Sequence, residues 1–124
     1  MSAGQASVSV KRNLRDMGLD AGIIRRVSIA MYEGEINMVI HAGGGKADVN
    51  VYEDHIDIIL DDHGPGIKDI ALAMTEGYST ATDNVRSLGF GAGMGLPNMK
   101  RYTDDMKIES VVGVGTKITM RVNF

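Results

Sequence analysis

The 124-residue chain has no cysteine and no tryptophan, and aromatic residues make up 5% of it. Without thiols it can form neither disulfides nor thiolate metal sites. No apolar run reaches the length of a membrane span and no basic-then-apolar leader opens the chain, so a cytoplasmic protein with no membrane partner is expected. Acidic and basic residues are interspersed around a net charge of −3, which leaves no electrostatic footprint for nucleic acid. His41, His55 and His63 have no ligand-like spacing and read as surface residues. No Ser-His-Asp set or hydrolase-type carboxylate pair can be argued from spacing. At this length the chain reads as one domain from Gln5 to Phe124, behind a disordered tip at Met1 to Gly4.

Glycine is abundant instead. It concentrates in Leu88-Gly89-Phe90-Gly91-Ala92-Gly93-Met94-Gly95-Leu96-Pro97-Asn98, a run that loses too much backbone entropy to be ordinary helix or strand. What the run allows is close approach of main-chain N–H groups to an anion. Pro97 suits the first turn of a helix that continues through Lys100 and Arg101, and a glycine-rich loop feeding a helix N-terminus is a phosphate cradle. Taken alone, the run fits a flexible surface loop equally well. Neither G-x-x-x-x-G-K-S/T nor G-x-G-x-x-G is satisfied, so the rest of the chain has to decide.

Periodicity organises that remainder. A short helix is expected over Gln5 to Met17, closed by Gly18. Asp20 suits the N-cap of a longer helix whose apolar face runs through Ile23, Ile24, Val27, Met31, Gly34 and Met38 to about His41, stopping at Gly43-Gly44-Gly45. The apolar period then falls to two. Ala47, Val49, Val51 and Ile56, Ile58, Leu60 read as strands around a turn at Glu53-Asp54. A short helix from Lys68 to Met74 comes next, and the polar, aperiodic stretch from Glu76 to Leu88 reads as a mobile lid. A helix from Pro97 to about Asp104 precedes two closing strands, Met106 to Val112 and Thr116 to Val122. Met31, Met38 and Met74 fall in helical segments and read as core filling. This order predicts an α/β (α+β) two-layer sandwich, with a mixed, mostly antiparallel sheet covered on one face by helices.

Chemistry can be placed on that frame. Glu33 and Asn37 stand one turn apart on one face of the long helix, where they offer a proton acceptor and a neutral oxygen suited to Mg²⁺ held mainly through water and phosphate. A solvated helix face is the plainer reading of the pair. Gly34 beside them costs about 1 kcal/mol relative to alanine, which argues for close packing there. Asp62 ends an apolar strand next to Gly64-Pro65-Gly66, and can either accept the amino hydrogen bond of a purine or form a turn.

In this order the residues resemble a family. Glu33-x-x-x-Asn37, Asp62-x-Gly64-x-Gly66, Gly91-x-Gly93-x-Gly95-Leu96 and Gly113-x-Gly115-Thr116 look like the ordered boxes of the GHKL ATPases, the Bergerat-fold superfamily of gyrases, MutL proteins and histidine kinases. The glutamate in the first box, the small size, and the stretches Glu76-Gly77-Tyr78-Ser79-Thr80 and Gly93 to Arg101 are similar to the bacterial anti-sigma factor and switch serine kinases. The resemblance implies ATP and Mg²⁺ as cofactors. Glu33 would be the general base, Asn37 the Mg²⁺ ligand, and Asp62, with Thr116 nearby, the adenine contact. Gly91, Gly93 and Gly95 would cradle phosphate and Ser79 to Leu88 would form the ATP lid. Gly64, Gly66, Ile67, Ser79, Thr80, Ala92, Met94 and Leu96 would complete the nucleotide-binding set. Glu35 is close enough to compete as base, but the spacing to Asn37 favours Glu33.

The function so implied is transfer of the ATP γ-phosphate to a serine or threonine of a small regulatory protein of STAS type. The alternative is a nucleotide-gated binding module that sequesters a sigma factor, or activates a phosphatase, without catalysis. One departure stands out: superfamily members usually place a sheet strand before the first helix, and none is legible here. An exposed sheet edge, and self-association through it as a homodimer, are therefore expected.

Overall fold

The computed structural model describes residues 5–67 and 95–124, with Ile70 and Met74 between them. Two helices come first, α1 (Gln5–Asp16) and α2 (Ala21–Ala42). The Asp20 side chain accepts hydrogen bonds from Gly22 N–H at 2.9 Å and Ile23 N–H at 3.4 Å, so the expected N-cap is formed. Gly43 ends α2 at φ +72°, a left-handed conformation that returns its N–H to the Met38 carbonyl. Strands β1 (Lys46–Val51) and β2 (His55–Asp62) follow as a hairpin. Helix α3 (Gly95–Arg101) then leads into β3 (Asp105–Val111) and β4 (Gly115–Asn123).

The strands lie in the order β1-β2-β4-β3, and every pairing is antiparallel among the described residues. Along the dry face of the sheet the cross-strand partners are Ile56 with Val122, Ile58 with Met120 and Leu60 with Ile118, all buried. The next pair in this series is Asp62 with Thr116, so the apolar ladder ends in a polar step. Leu14, Val27, Met31, Met38 and Met99 from the helices complete the core. The opposite face is wet, with Arg121 Nε donating to Asp57 Oδ1 at 2.9 Å. This is the two-layer sandwich that the periodicity predicts, and Met31 and Met38 fill its core as expected.

A Cβ on Gly34 would collide with Leu60 Cδ1 and lie 3.4 Å from Met99 Sδ. The glycine therefore marks where α2 presses on both the sheet and α3. Helix α3 starts at Gly95, ahead of Pro97, and stops at Arg101 rather than Asp104. Proline needs no N–H partner in a first helical turn, so the helix can begin before it. At the other end the Thr103 hydroxyl donates to the Met99 carbonyl at 2.8 Å and so occupies an acceptor that a longer helix would use. Of the helix expected over Lys68 to Met74, the described part is one turn bond, Met74 N–H to the Ile70 carbonyl at 3.0 Å. The terminal tip and the lid expected over Glu76 to Leu88 lie outside the described residues. Among the described residues no strand precedes α1, and β1 is a sheet edge. None of the described helices is long and apolar enough to cross a membrane.

Candidate functional site

Residues four apart share a helical face, so Glu33, Asn37 and His41 form one stripe along α2, about 12 Å end to end by helical rise. One end of the stripe meets α3. Asn98 Nδ2 donates to Glu33 Oε1 at 3.3 Å, and a Cβ on Gly95 would lie 3.6 Å from Asn37 Oδ1. The other end meets β2, where the charge of Asp62 acts on His41. Burial raises the Glu33 carboxyl above the ordinary glutamate value, with the Asn98 hydrogen bond pulling it partly back. A carboxylate that holds a proton more firmly is a better base near neutral pH. Burial pushes the His41 imidazole down, and the Asp62 charge opposes that shift.

Glu35 points the other way. It is 0% exposed and accepts the Ser7 N–H from the first turn of α1 at 2.6 Å. Of the two glutamates, only Glu33 lies on the stripe.

The far end of the site is built by backbone hydrogen bonds. Asp62 is 9% exposed, and its Oδ1 accepts Gly64 N–H at 2.9 Å and Thr116 N–H at 3.2 Å. The loop from Gly64 to Ile67 then lies on the β3–β4 hairpin. Gly113 N–H donates to the Pro65 carbonyl at 2.8 Å, and Ile67 N–H donates to Ser110 Oγ at 2.7 Å. Gly66 takes φ +79°, and a Cβ there would come within 2.5 Å of the Val111 carbonyl oxygen. Gly115 is equally confined, since a Cβ on it would overlap the Asp62 carbonyl oxygen. Asp62, Gly64, Gly66, Ile67 and Thr116, far apart in sequence, are thus drawn to one corner of the sheet.

Other expected site residues fall differently. Gly95 and Leu96 open α3, where Leu96 is buried in the core with Met99. Ser79, Thr80, Gly91, Ala92, Gly93 and Met94 lie outside the described residues. The reading of all three histidines as surface residues needs correction. His41 is half-buried near Asp62, and His55 is half-buried with Nδ1 at 2.5 Å from Asp54 Oδ1 and its ring stacked on Tyr52; His63 is exposed. Asn98, His41 and Ser110 are neighbours of the site that sequence reasoning passed over. The four-residue step from Asn37 signals His41. Asn98 follows Pro97 in the glycine-rich run, whereas nothing local signals Ser110.

Among the described residues no group of three or more His, Asp or Glu side chains could hold a metal ion. The neutral Asn37 oxygen on the same face as Glu33 fits a hard cation that takes its remaining ligands from phosphate and water.

Residues 2–122 match the histidine kinase-like ATPase domain, and the chain belongs to that family. Serine/threonine-protein kinase RsbT of Bacillus subtilis (strain 168) is 33% identical over 118 residues, covering 91% of this chain and 83% of the relative. An anti-sigma F factor of Clostridium novyi (strain NT) is 35% identical over 104 residues, covering 79% of this chain and 69% of the relative. The mycobacterial sensor histidine kinase MprB has the same fold, with a TM-score of 0.61 at 15% identity over 98% of this chain and 91% of that one. The resemblance read from the sequence is borne out in both fold and branch.

Proposed function

We propose that the chain is an ATP-binding serine/threonine protein kinase of the partner-switching type. The observation that carries this reading is the Glu33–Asn37–His41 stripe, which joins the start of α3 to the Asp62–Thr116 corner in a member of an ATPase family with a serine/threonine kinase among its relatives. Asp62 accepts the adenine amino group. Glu33, oriented by Asn98, takes the proton of the substrate hydroxyl as that oxygen attacks the γ-phosphorus, and ADP leaves with the electrons of the broken P–O bond. Asn37 would hold Mg²⁺, which would neutralise the phosphate charge. Gly91, Gly93 and Gly95 would cradle the phosphates, and Ser79 to Leu88 would form the ATP lid.

The acceptor is a serine or threonine of a small regulatory protein of STAS type, and the whole of 5–124 works as one ATP-binding unit in the cytoplasm. A second copy pairs along the exposed edge of β1. The test is transfer of ³²P from γ-labelled ATP to STAS-domain proteins encoded in the same genome, by the native chain and by Glu33→Ala. Labelling by the native chain that disappears in the variant, with ATP binding retained, supports the kinase. If Glu33→Ala keeps its biological output in full, a nucleotide-gated binding module that captures a sigma factor or activates a phosphatase takes its place.

A further inference from the structure

We infer that Arg26 and Asp104 are positioning residues, an ionic clip that sets α2 against α3 so that Asn98 meets Glu33. Their part in the reaction rests on the kinase reading above, whereas the contact they set can be tested without it.

The contact between Asn98 and Glu33 needs such a clip. It is a single N–H···O bond at 3.3 Å, on the long side for its kind. Helix α3 has seven residues and buries Leu96 and Met99. Where Met99 meets α2 the facing residue is Gly34, and a Cβ there would lie 3.4 Å from Met99 Sδ. Helices resist sliding and rotation by seating side-chain ridges in grooves, and a glycine supplies no ridge. The register of α3 on α2 therefore has to be fixed elsewhere.

Asp104, just past the end of α3, supplies the fixed point. Its N–H donates to the Arg121 carbonyl at 2.8 Å and its Oδ2 accepts Asn123 N–H at 2.7 Å, so backbone and carboxylate are both tied to β4. Arg26 Nη2 donates to that same Oδ2 at 2.9 Å. Arg26 precedes Glu33 by about two helical turns, so both project from one face of α2, roughly 10 Å apart. The Thr103 hydroxyl, donating to the Met99 carbonyl at 2.8 Å, stiffens the step from α3 to Asp104. One face of α2 is thus held at two points, an outer one anchored to the sheet and an inner one that orients the base. The Arg26 and Asp104 side chains are 32% and 37% exposed, and a pair so wet adds little to stability. What it supplies is register.

The experiment measures turnover of Mg²⁺-ATP together with the side-chain amide signal of Asn98 in ¹⁵N-labelled protein, assigned by its loss in Asn98→Ala. Arg26→Met keeps the stem and removes the charge. Arg26→Lys keeps a cation, which suffices because the guanidinium reaches Asp104 through one nitrogen. Arg26→Met lowers kcat about tenfold with KM for ATP unchanged, since a misaligned base slows the step without loosening the nucleotide. Its Asn98 signal moves toward the position found in Glu33→Ala, and Arg26→Lys restores both readouts. In an Asn98→Ala background Arg26→Met costs nothing more, because both substitutions act through one contact. A pair that served stability alone would lower the unfolding midpoint, leave the Asn98 signal in place and multiply with Asn98→Ala. An unmoved Asn98 signal in folded Arg26→Met, or losses that multiply, overturns the inference and leaves the kinase reading standing. A native chain that turns over no ATP overturns the kinase reading, and the Asn98 signal then decides the clip by itself.

Discussion

Glu33 and Glu35 lie two residues apart on α2 and serve opposite sides of it: Asn98 Nδ2 reaches the first at 3.3 Å, and the Ser7 amide reaches the second at 2.6 Å. Substitution should separate the two roles. Glu35→Ala leaves a buried N–H without this acceptor and lowers unfolding free energy by about 1–3 kcal/mol, whereas Glu33→Ala leaves stability nearly unchanged and removes phosphoryl transfer. Urea denaturation beside a transfer assay reads both effects. A stable Glu35→Ala protein without activity, beside an active Glu33→Ala, would reverse the assignment.

The raised Glu33 carboxyl predicts the acid limb of the reaction. Glu33 must be ionised to act as base, so the rate falls with decreasing pH at a point above the ordinary glutamate range. The Asn98 hydrogen bond lowers that carboxyl, so Asn98→Ala should move the acid limb to still higher pH. Coincident acid limbs in the two proteins would contradict this. Stability follows the same shift: the folded state holds the Glu33 proton more firmly than the unfolded chain. The contribution from Glu33 is therefore complete below the ordinary glutamate value and is lost as pH rises through the folded one.

Gly34 offers a packing test. Alanine favours a helix by about 1 kcal/mol over glycine, yet a methyl group at this position would collide with Leu60 Cδ1 in the core. Overpacking costs about 1–3 kcal/mol, so Gly34→Ala should be a net destabilisation despite the better helix former. A higher unfolding midpoint in the variant would mean that α2 does not press on the sheet there.

The elements and the core were legible because both leave a local record. Ile23, Ile24, Val27 and Met31 carry the helical step, and Ile56, Ile58 and Leu60 carry the alternation of a strand whose dry face is paired by Val122, Met120 and Ile118. The pairing of Asp62 with Thr116 across the sheet came from the structure. Asp62 itself was legible because it ends the apolar alternation of its strand beside Gly64-Pro65-Gly66, whereas Thr116 was legible only through the resemblance of Gly113-x-Gly115-Thr116 to a family box. The burial of Glu35 was not, because a glutamate on a helix reads as exposed until α1 is known to place the Ser7 amide against it. Ser110 escaped for the same reason: its contact with Ile67 spans 43 positions, and no period records it.

The central claim is that Asp62 holds the base of ATP, and calorimetric titration of ATP with Mg²⁺ into the native chain and into Asp62→Asn tests it most directly. Asparagine retains an oxygen for the Gly64 and Thr116 amides but can turn its NH₂ donor toward the adenine amino group, so the fold survives while the base contact is lost. Mg²⁺-dependent binding to the native chain that vanishes in the folded variant is the predicted result. Equal affinity in the two proteins would contradict the account and place the base elsewhere.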